Sequence, residues 1–136
     1  MIENSDHRDA VLWACDVAER VLPIFEMAMP GDRRPRLAIE AGRDWSHGEL
    51  KMTGARMAAF AAHSAARQAH EMDLTRAAAA ARAAGHAAAT AHVIGHAPHA
   101  ANYAVKAVLG PVSERQWQVQ TMPVALRSLL GPKSAA

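Results

Sequence analysis

The stretch that most constrains the fold runs from Ala77 to Ala91, where all but four residues are alanine. Alanine has the highest helix propensity, and its small side chain lets neighbouring helices approach closely. About a quarter of the 136 residues are alanine. No segment shows the two-residue alternation of a half-buried strand, and no Asn-Gly or Asp-Gly hairpin turn is present. The sequence therefore predicts an all-α bundle of five to seven helices around a central Ala/Gly-rich helix.

Prolines and capping residues indicate where the first helices begin and end. Asp6 is a good N-cap for a first helix, which Pro23 is expected to kink or split. A second helix is predicted to begin near Pro35, because proline suits the first turn of a helix. Thr53 is the predicted N-cap of the third helix.

The longest predicted helix runs from about Leu74 to Ala97, with Asp73 as its N-cap. Pro98 can start a fifth helix, and a last helix is expected from near Ser113. The alanine and glycine face of the longest helix should lie at the centre of the bundle.

A chain of this length is the size of one domain, so residues 1–136 are expected to form one, with a core of about 8–130 and flexible tails at 1–5 and 131–136. The opening MIENSDHRD is polar and acidic, so we expect no signal peptide, and no apolar run approaches the roughly 20 residues that span a membrane. The single Cys15 can form no internal disulfide, which fits a reducing compartment. The expected location is the cytoplasm, with no membrane partner.

Charge is distributed unevenly along the chain. Ten of the thirteen acidic residues fall in the first 49, whereas the segment from Leu74 to Ser113 has none and contains Arg76, Arg82 and Lys106. A polarised surface is expected. The net charge of +2 is too small to indicate nucleic-acid binding.

Four histidines, His86, His92, His96 and His99, lie within fourteen residues. On one long helix His92 and His96 share a face, and their four-residue spacing is the one at which two histidines can bind zinc. No carboxylate lies nearby to complete such a site, so no metal ligand is predicted. Hydrogen bonding of both imidazoles to a neighbouring helix is the favoured interpretation, with Glu40 as the first partner; contact with a ligand, a protein partner or a metal is the alternative.

Two groups of polar residues are the candidate sites. The residues of the first group could meet inside the bundle, where they would either determine how the helices pack or form a pocket for a small molecule or a metal. Such a pocket could also belong to an enzyme. The second follows one side of the third helix, either as a solvated face or as a binding surface for an acidic partner. The candidate polar cluster comprises Arg36, Glu40, Arg43, Thr90, His92, His96 and Tyr103, and the candidate surface patch comprises Arg56, His63, Arg67 and His70.

Catalytic motifs are not evident. No glycine-rich loop follows a strand, and no local pattern marks a nucleophile with its base. We therefore expect no catalytic residues, no cofactor and no enzymatic activity.

Several polar segments, taken together and in order, are similar to a known family. They are LWACDVAERVLPIFE (12–26), RPRLAIEAGRDWSHGE (34–49), AAGHAAATAHVIGHAPHAANYAVKAV (83–108) and ERQWQVQTMPVALRSLL (114–130). The chain resembles the all-helical, immunity-five-like immunity proteins of bacterial polymorphic toxin systems.

The resemblance implies a protein that binds and neutralises a cognate toxin through its surface. Such an inhibitor needs a rigid scaffold and a complementary surface and does not need catalytic residues. Because the N-terminal half is acidic, it is the expected face for a basic toxin. A module that serves mainly to form a homodimer is a further alternative.

Overall fold

Six α-helices follow one another along residues 4–127, the part of the chain that the computed structural model describes. The all-α class and the number of helices are as predicted, and these residues contain no strand. The elements are α1 (Asn4–Ala28), α2 (Arg34–Ser46), α3 (Met52–Glu71), α4 (Thr75–Ala89), α5 (His96–Ala107), α6 (Pro111–Thr121) and a short 3₁₀-helix (Val124–Leu126).

Helix α4 lies at the centre and packs against α1, α2, α3 and α5. Nearly all of its alanines, together with Gly85, are buried. Close approach also depends on Gly42 in α2, since a Cβ there would lie 2.7 Å from Cys15 Sγ and 3.6 Å from Ala88 Cα. Small side chains therefore determine how near α1, α2 and α4 come to one another.

Larger side chains fill the space around α1. Phe25, Leu22 and Ile39 are buried, and Trp13 donates a hydrogen bond of 3.2 Å from Nε1 to the carbonyl of Gln118, which joins α1 to α6. Cys15 is buried as well, and burial raises the pKa of its thiol to about 12. The thiol is thus protonated and acts as a packing group.

Several predicted caps and boundaries are wrong. Asp6 lies in the first turn of α1, which begins at Asn4, and Thr53 lies inside α3, whose N-cap is Lys51. Pro23 does not split the first helix, because α1 continues through it to Ala28. Its ring is exposed, so the helical carbonyl that loses its donor lies on the solvent side. Asp73 does not cap α4 either: it has a φ of 60° in the turn, and α4 begins at Thr75.

The predicted long helix is two helices. Helix α4 ends at Ala89, and α5 begins at His96. The hydroxyl of Thr90 donates to the carbonyl of His86 at 2.8 Å, and the following turn contains β-branched residues and Gly95, all poorer helix formers than alanine. His92 and His96 consequently do not share a helix face.

Of the predicted tails, residues 1–3 and 131–136 lie outside the described residues, whereas residues 4 and 5 form the start of α1. Helix α6 begins at Pro111, slightly before the expected start near Ser113. Within residues 4–127, no helix combines the length and the apolar character needed to cross a membrane.

Candidate functional site

The structure disperses most of the candidate polar cluster, although His96 and Tyr103 both lie against His86. Arg36 binds the carboxylate of Glu26 through hydrogen bonds of 2.8 and 2.6 Å. Arg43 donates to Asp16 at 2.9 Å and to Glu19 at 2.8 and 3.1 Å. These two arginines of α2 therefore pair with acids of α1 and hold the two helices in register.

Glu40 and His92 do not pair, so that prediction is wrong. Both side chains are exposed, and within residues 4–127 neither hydrogen-bonds the other. The physical reason is the end of α4 at Ala89, which places His92 in the α4–α5 turn.

Thr90 is buried at the end of α4. Its carbonyl accepts a hydrogen bond of 2.7 Å from His7 Nε2, so this nitrogen of His7 carries the proton. His7 also packs against Trp45, with ring centroids 4.9 Å apart, beside a cleft of about 520 Å³. Because His7 is already bonded to the backbone, we assign it a structural role.

Four of the other histidines form a cluster with a tyrosine around His86, which we call the histidine cluster: His63, His86, His96, His99 and the ring of Tyr103. The ring centroid of His86 lies 4.9 Å from that of His63, 5.2 Å from His96 and 5.3 Å from both His99 and Tyr103. Tyr103 stacks on His86 with an interplanar angle of 9°. Three helices, α3, α4 and α5, thus contribute imidazoles to one place.

A direct hydrogen bond of 3.0 Å joins Nδ1 of His86 to Nδ1 of His96. One nitrogen must donate and the other accept, which two neutral imidazoles can do. Burial, reinforced by the neighbouring His63, His96, His99 and Arg82, lowers the pKa of His86 to about 3. Burial, together with His99 and His92, also lowers the pKa of His96. The pair is therefore neutral at physiological pH.

His63 lies against the helix backbone at Gly85. A Cβ on Gly85 would be 2.6 Å from Cε1 of the His63 ring. Its Nδ1 is buried without a hydrogen-bond partner within the described residues. Burial and the charge of Arg82 lower the pKa of His63 to about 4.

The candidate surface patch divides accordingly. Arg56 and Arg67 are exposed, and Arg67 donates to the hydroxyl of Ser64 at 2.8 Å. His63 turns inward to the histidine cluster, and His70 lines a groove beside it. Only His63 of the patch therefore turns inward, whereas Arg56, Arg67 and His70 are exposed.

A groove of about 320 Å³ lies between α3, α4 and α5 and adjoins the histidine cluster at Tyr103. Arg82 and Lys106 line it, and both come from the acid-free segment of the sequence. The Nζ atom of Lys106 lies 4.9 Å from the centroid of the Tyr103 ring. We call this surface the basic groove.

Among the residues that the structure describes, no three His, Cys, Asp or Glu side chains are arranged to hold a metal ion together. The close His86–His96 contact is accounted for by their hydrogen bond.

Over residues 1–125 the sequence matches the family described as "Imm-5 like putative immunity protein". The chain belongs to this family. The resemblance seen in the sequence is thereby confirmed, and with it a general immunity role that implies a toxin partner. No curated protein and no solved structure matches the chain.

Several residues of this immunity protein's candidate site were not among the sequence candidates, namely His86, His99, Arg82 and Lys106. On the single long helix that the sequence predicts, about 100° per residue would turn His86 away from the face shared by His92 and His96. The β-branched residues and glycine between Thr90 and Gly95 are the signal that would have indicated a helix break. With that break, His86 and His96 lie on separate helices and are free to meet.

Proposed function

We propose that this chain is a cytoplasmic immunity protein that binds a cognate bacterial toxin and neutralises it by covering part of the toxin's surface. The family match over residues 1–125 supports the general role. Because inhibition by binding requires a rigid complementary surface and no chemistry, the proposed activity is not enzymatic.

Exposed apolar side chains on α3 support one location for the interface. Met57 and Phe60 lie one turn apart on α3, with 71% and 58% of their surface exposed. Arg56 lies beside them, with its Cζ 5.5 Å from the centroid of the Phe60 ring. Aromatic residues, methionine and arginine are enriched in protein interfaces, and exposed apolar groups of this size gain free energy when covered. We call Arg56, Met57 and Phe60 the α3 face.

The acidic N-terminal half is the other candidate for this interface. Several of its carboxylates already pair with arginine: Asp16 and Glu19 with Arg43, and Glu26 with Arg36. A carboxylate that already has a cationic partner gains less binding free energy from a second cation than an unpaired carboxylate does. The contacts therefore favour the α3 face, and the toxin surface that fits it is apolar with an acidic rim.

The test is to identify the toxin by pull-down from the source organism, and then to measure its neutralisation by co-expression in a sensitive host and its binding to the purified chain. Met57→Ala with Phe60→Ala is expected to weaken binding about tenfold or more, since truncated interface anchors typically cost over 1 kcal/mol. Leu109→Ala with Val112→Ala is the matched control, because these side chains are 83% and 70% exposed away from α3. Melting curves of all variants verify folding.

Full protection by the α3 variant would contradict this location. Glu40→Lys with Asp44→Lys probes the alternative, since both carboxylates are exposed and form no ion pair within residues 4–127. Loss of protection in that variant alone would move the interface to the acidic half. A toxin that never binds the native chain would refute the function itself.

A further inference from the structure

We propose that the basic groove between α3, α4 and α5 binds a small oxyanion, with a phosphate group as the preferred chemistry. This site goes beyond toxin binding, because the groove is lined by α4 and α5 as well as α3 and does not include the α3 face. It rests on the charges, the donors and the shape found in the groove.

The groove contains two cations without a partner. Within residues 4–127, Arg82 and Lys106 form no ion pair, whereas Arg20, Arg34, Arg36 and Arg43 each bind a carboxylate. No acidic side chain lines the groove in the described part of the chain. The sequence explains this, because no Asp or Glu occurs between Leu74 and Ser113. Two like charges that face one concave surface leave it strongly attractive to an anion.

Further hydrogen-bond donors line the same groove. Thr75 and Tyr103 each carry a hydroxyl, and His70 carries an imidazole N–H. A phosphate needs several hydrogen bonds to its oxygens, and charged donors such as Arg82 make the strongest of them. The groove therefore offers both kinds of contact.

The side of the groove formed by the Tyr103 ring is rigid. Tyr103 is held by its parallel stacking on His86, and His86 in turn is hydrogen-bonded to His96. Helix spacing places each charged group beside a ring of the stack, since Arg82 lies one turn from His86 in α4 and Lys106 one turn from Tyr103 in α5. A volume of about 320 Å³ is at the lower end for ligand pockets and suits a small molecule.

The positive charge of the groove determines which oxyanion should bind more tightly. Arg82 and Lys106 carry two fixed positive charges at neutral pH. A phosphate dianion neutralises both, whereas an acetate ion neutralises one. Phosphate should consequently bind more tightly than acetate.

Inorganic phosphate and acetate are the probes, titrated by calorimetry and thermal melting at pH 7.5 with ionic strength held constant by chloride. We expect phosphate to raise the melting temperature and acetate to raise it less. Lys106→Gln should weaken phosphate binding about tenfold or more, because it removes a charged donor. Lys106 is exposed, so this variant should fold; Arg82→Gln should have a similar effect. Lys51→Gln is the matched control, since Lys51 is also exposed and forms no ion pair among residues 4–127.

Three results would overturn the proposal. Chloride alone could stabilise the chain as much as phosphate at equal ionic strength. Lys51→Gln could weaken phosphate binding as much as Lys106→Gln does, which would indicate general screening of a basic surface. Acetate could bind as tightly as phosphate, which would refute the preference for a dianion.

Discussion

Substituting Gly85 with alanine tests the closest packing in the bundle. A Cβ at this position would lie 2.6 Å from Cε1, 2.8 Å from Nε2 and 2.9 Å from Nδ1 of His63. All three atoms belong to one ring, which the edge of His86 confines at a centroid distance of 4.9 Å. The ring must shift outward, and two helices must adjust with it.

Two opposing effects set the magnitude. Overpacking a tight contact costs about 1–3 kcal/mol. Replacing glycine by alanine within a helix contributes roughly 0.5–1 kcal/mol in the other direction. The net change should be a destabilisation of about 1 kcal/mol in the native sequence, within a range of roughly 0–2.5 kcal/mol. In a His63→Ala background the clash disappears, so the same substitution should stabilise the protein by about 0.5–1 kcal/mol.

Urea unfolding of the four proteins in this double-mutant cycle measures both values. The sign of the Gly85→Ala effect should reverse between the two backgrounds. If alanine at position 85 stabilises the native sequence, the ring of His63 is free to move and the reasoning fails. A destabilisation that persists without His63 would place the clash elsewhere.

Two further predictions concern the charged groups. Acid should destabilise the fold. Folding lowers the pKa of His63 to about 4 and that of His86 to about 3, from 6.5 in the unfolded chain. The contribution of the two neutral imidazoles to stability is therefore complete above pH 6.5 and is lost as the pH falls towards the folded-state pKa values. After allowance for solvent screening, the free energy of unfolding should fall by about 1–2 kcal/mol between pH 7.5 and 5, and by less in a His86→Gln variant. Equal urea midpoints at both pH values would contradict this. Arg20→Ala should cost about 1–3 kcal/mol, because it leaves the Glu114 carboxylate, only 7% exposed, without its bidentate partner at 3.0 and 3.1 Å. Arg8→Ala, an exposed arginine of α1, is the control in the same urea assay, and an equal loss in both variants would refute the role of the pair.

The fold class and the family could both be predicted from the sequence. Alanine abundance and the lack of strand patterns predicted the helical class, and the ordered polar segments indicated the family. The candidate site was harder to predict, because its residues come from three helices. His86 and His96 are ten positions apart, and only the break after Ala89 lets them meet.

What the sequence alone determined is the set of local properties: helix formation, the acid-free segment that leaves Arg82 and Lys106 uncompensated, and the small residues that permit close approach. What only the tertiary structure decided is which polar groups became partners. Arg36 and Arg43 could have turned towards the histidines, but α1 packs beside α2 and offers Glu26, Asp16 and Glu19 at hydrogen-bonding distance. Helix periodicity describes one helix at a time, whereas a polar contact between helices depends on how two of them pack, and that follows from the burial of the whole core.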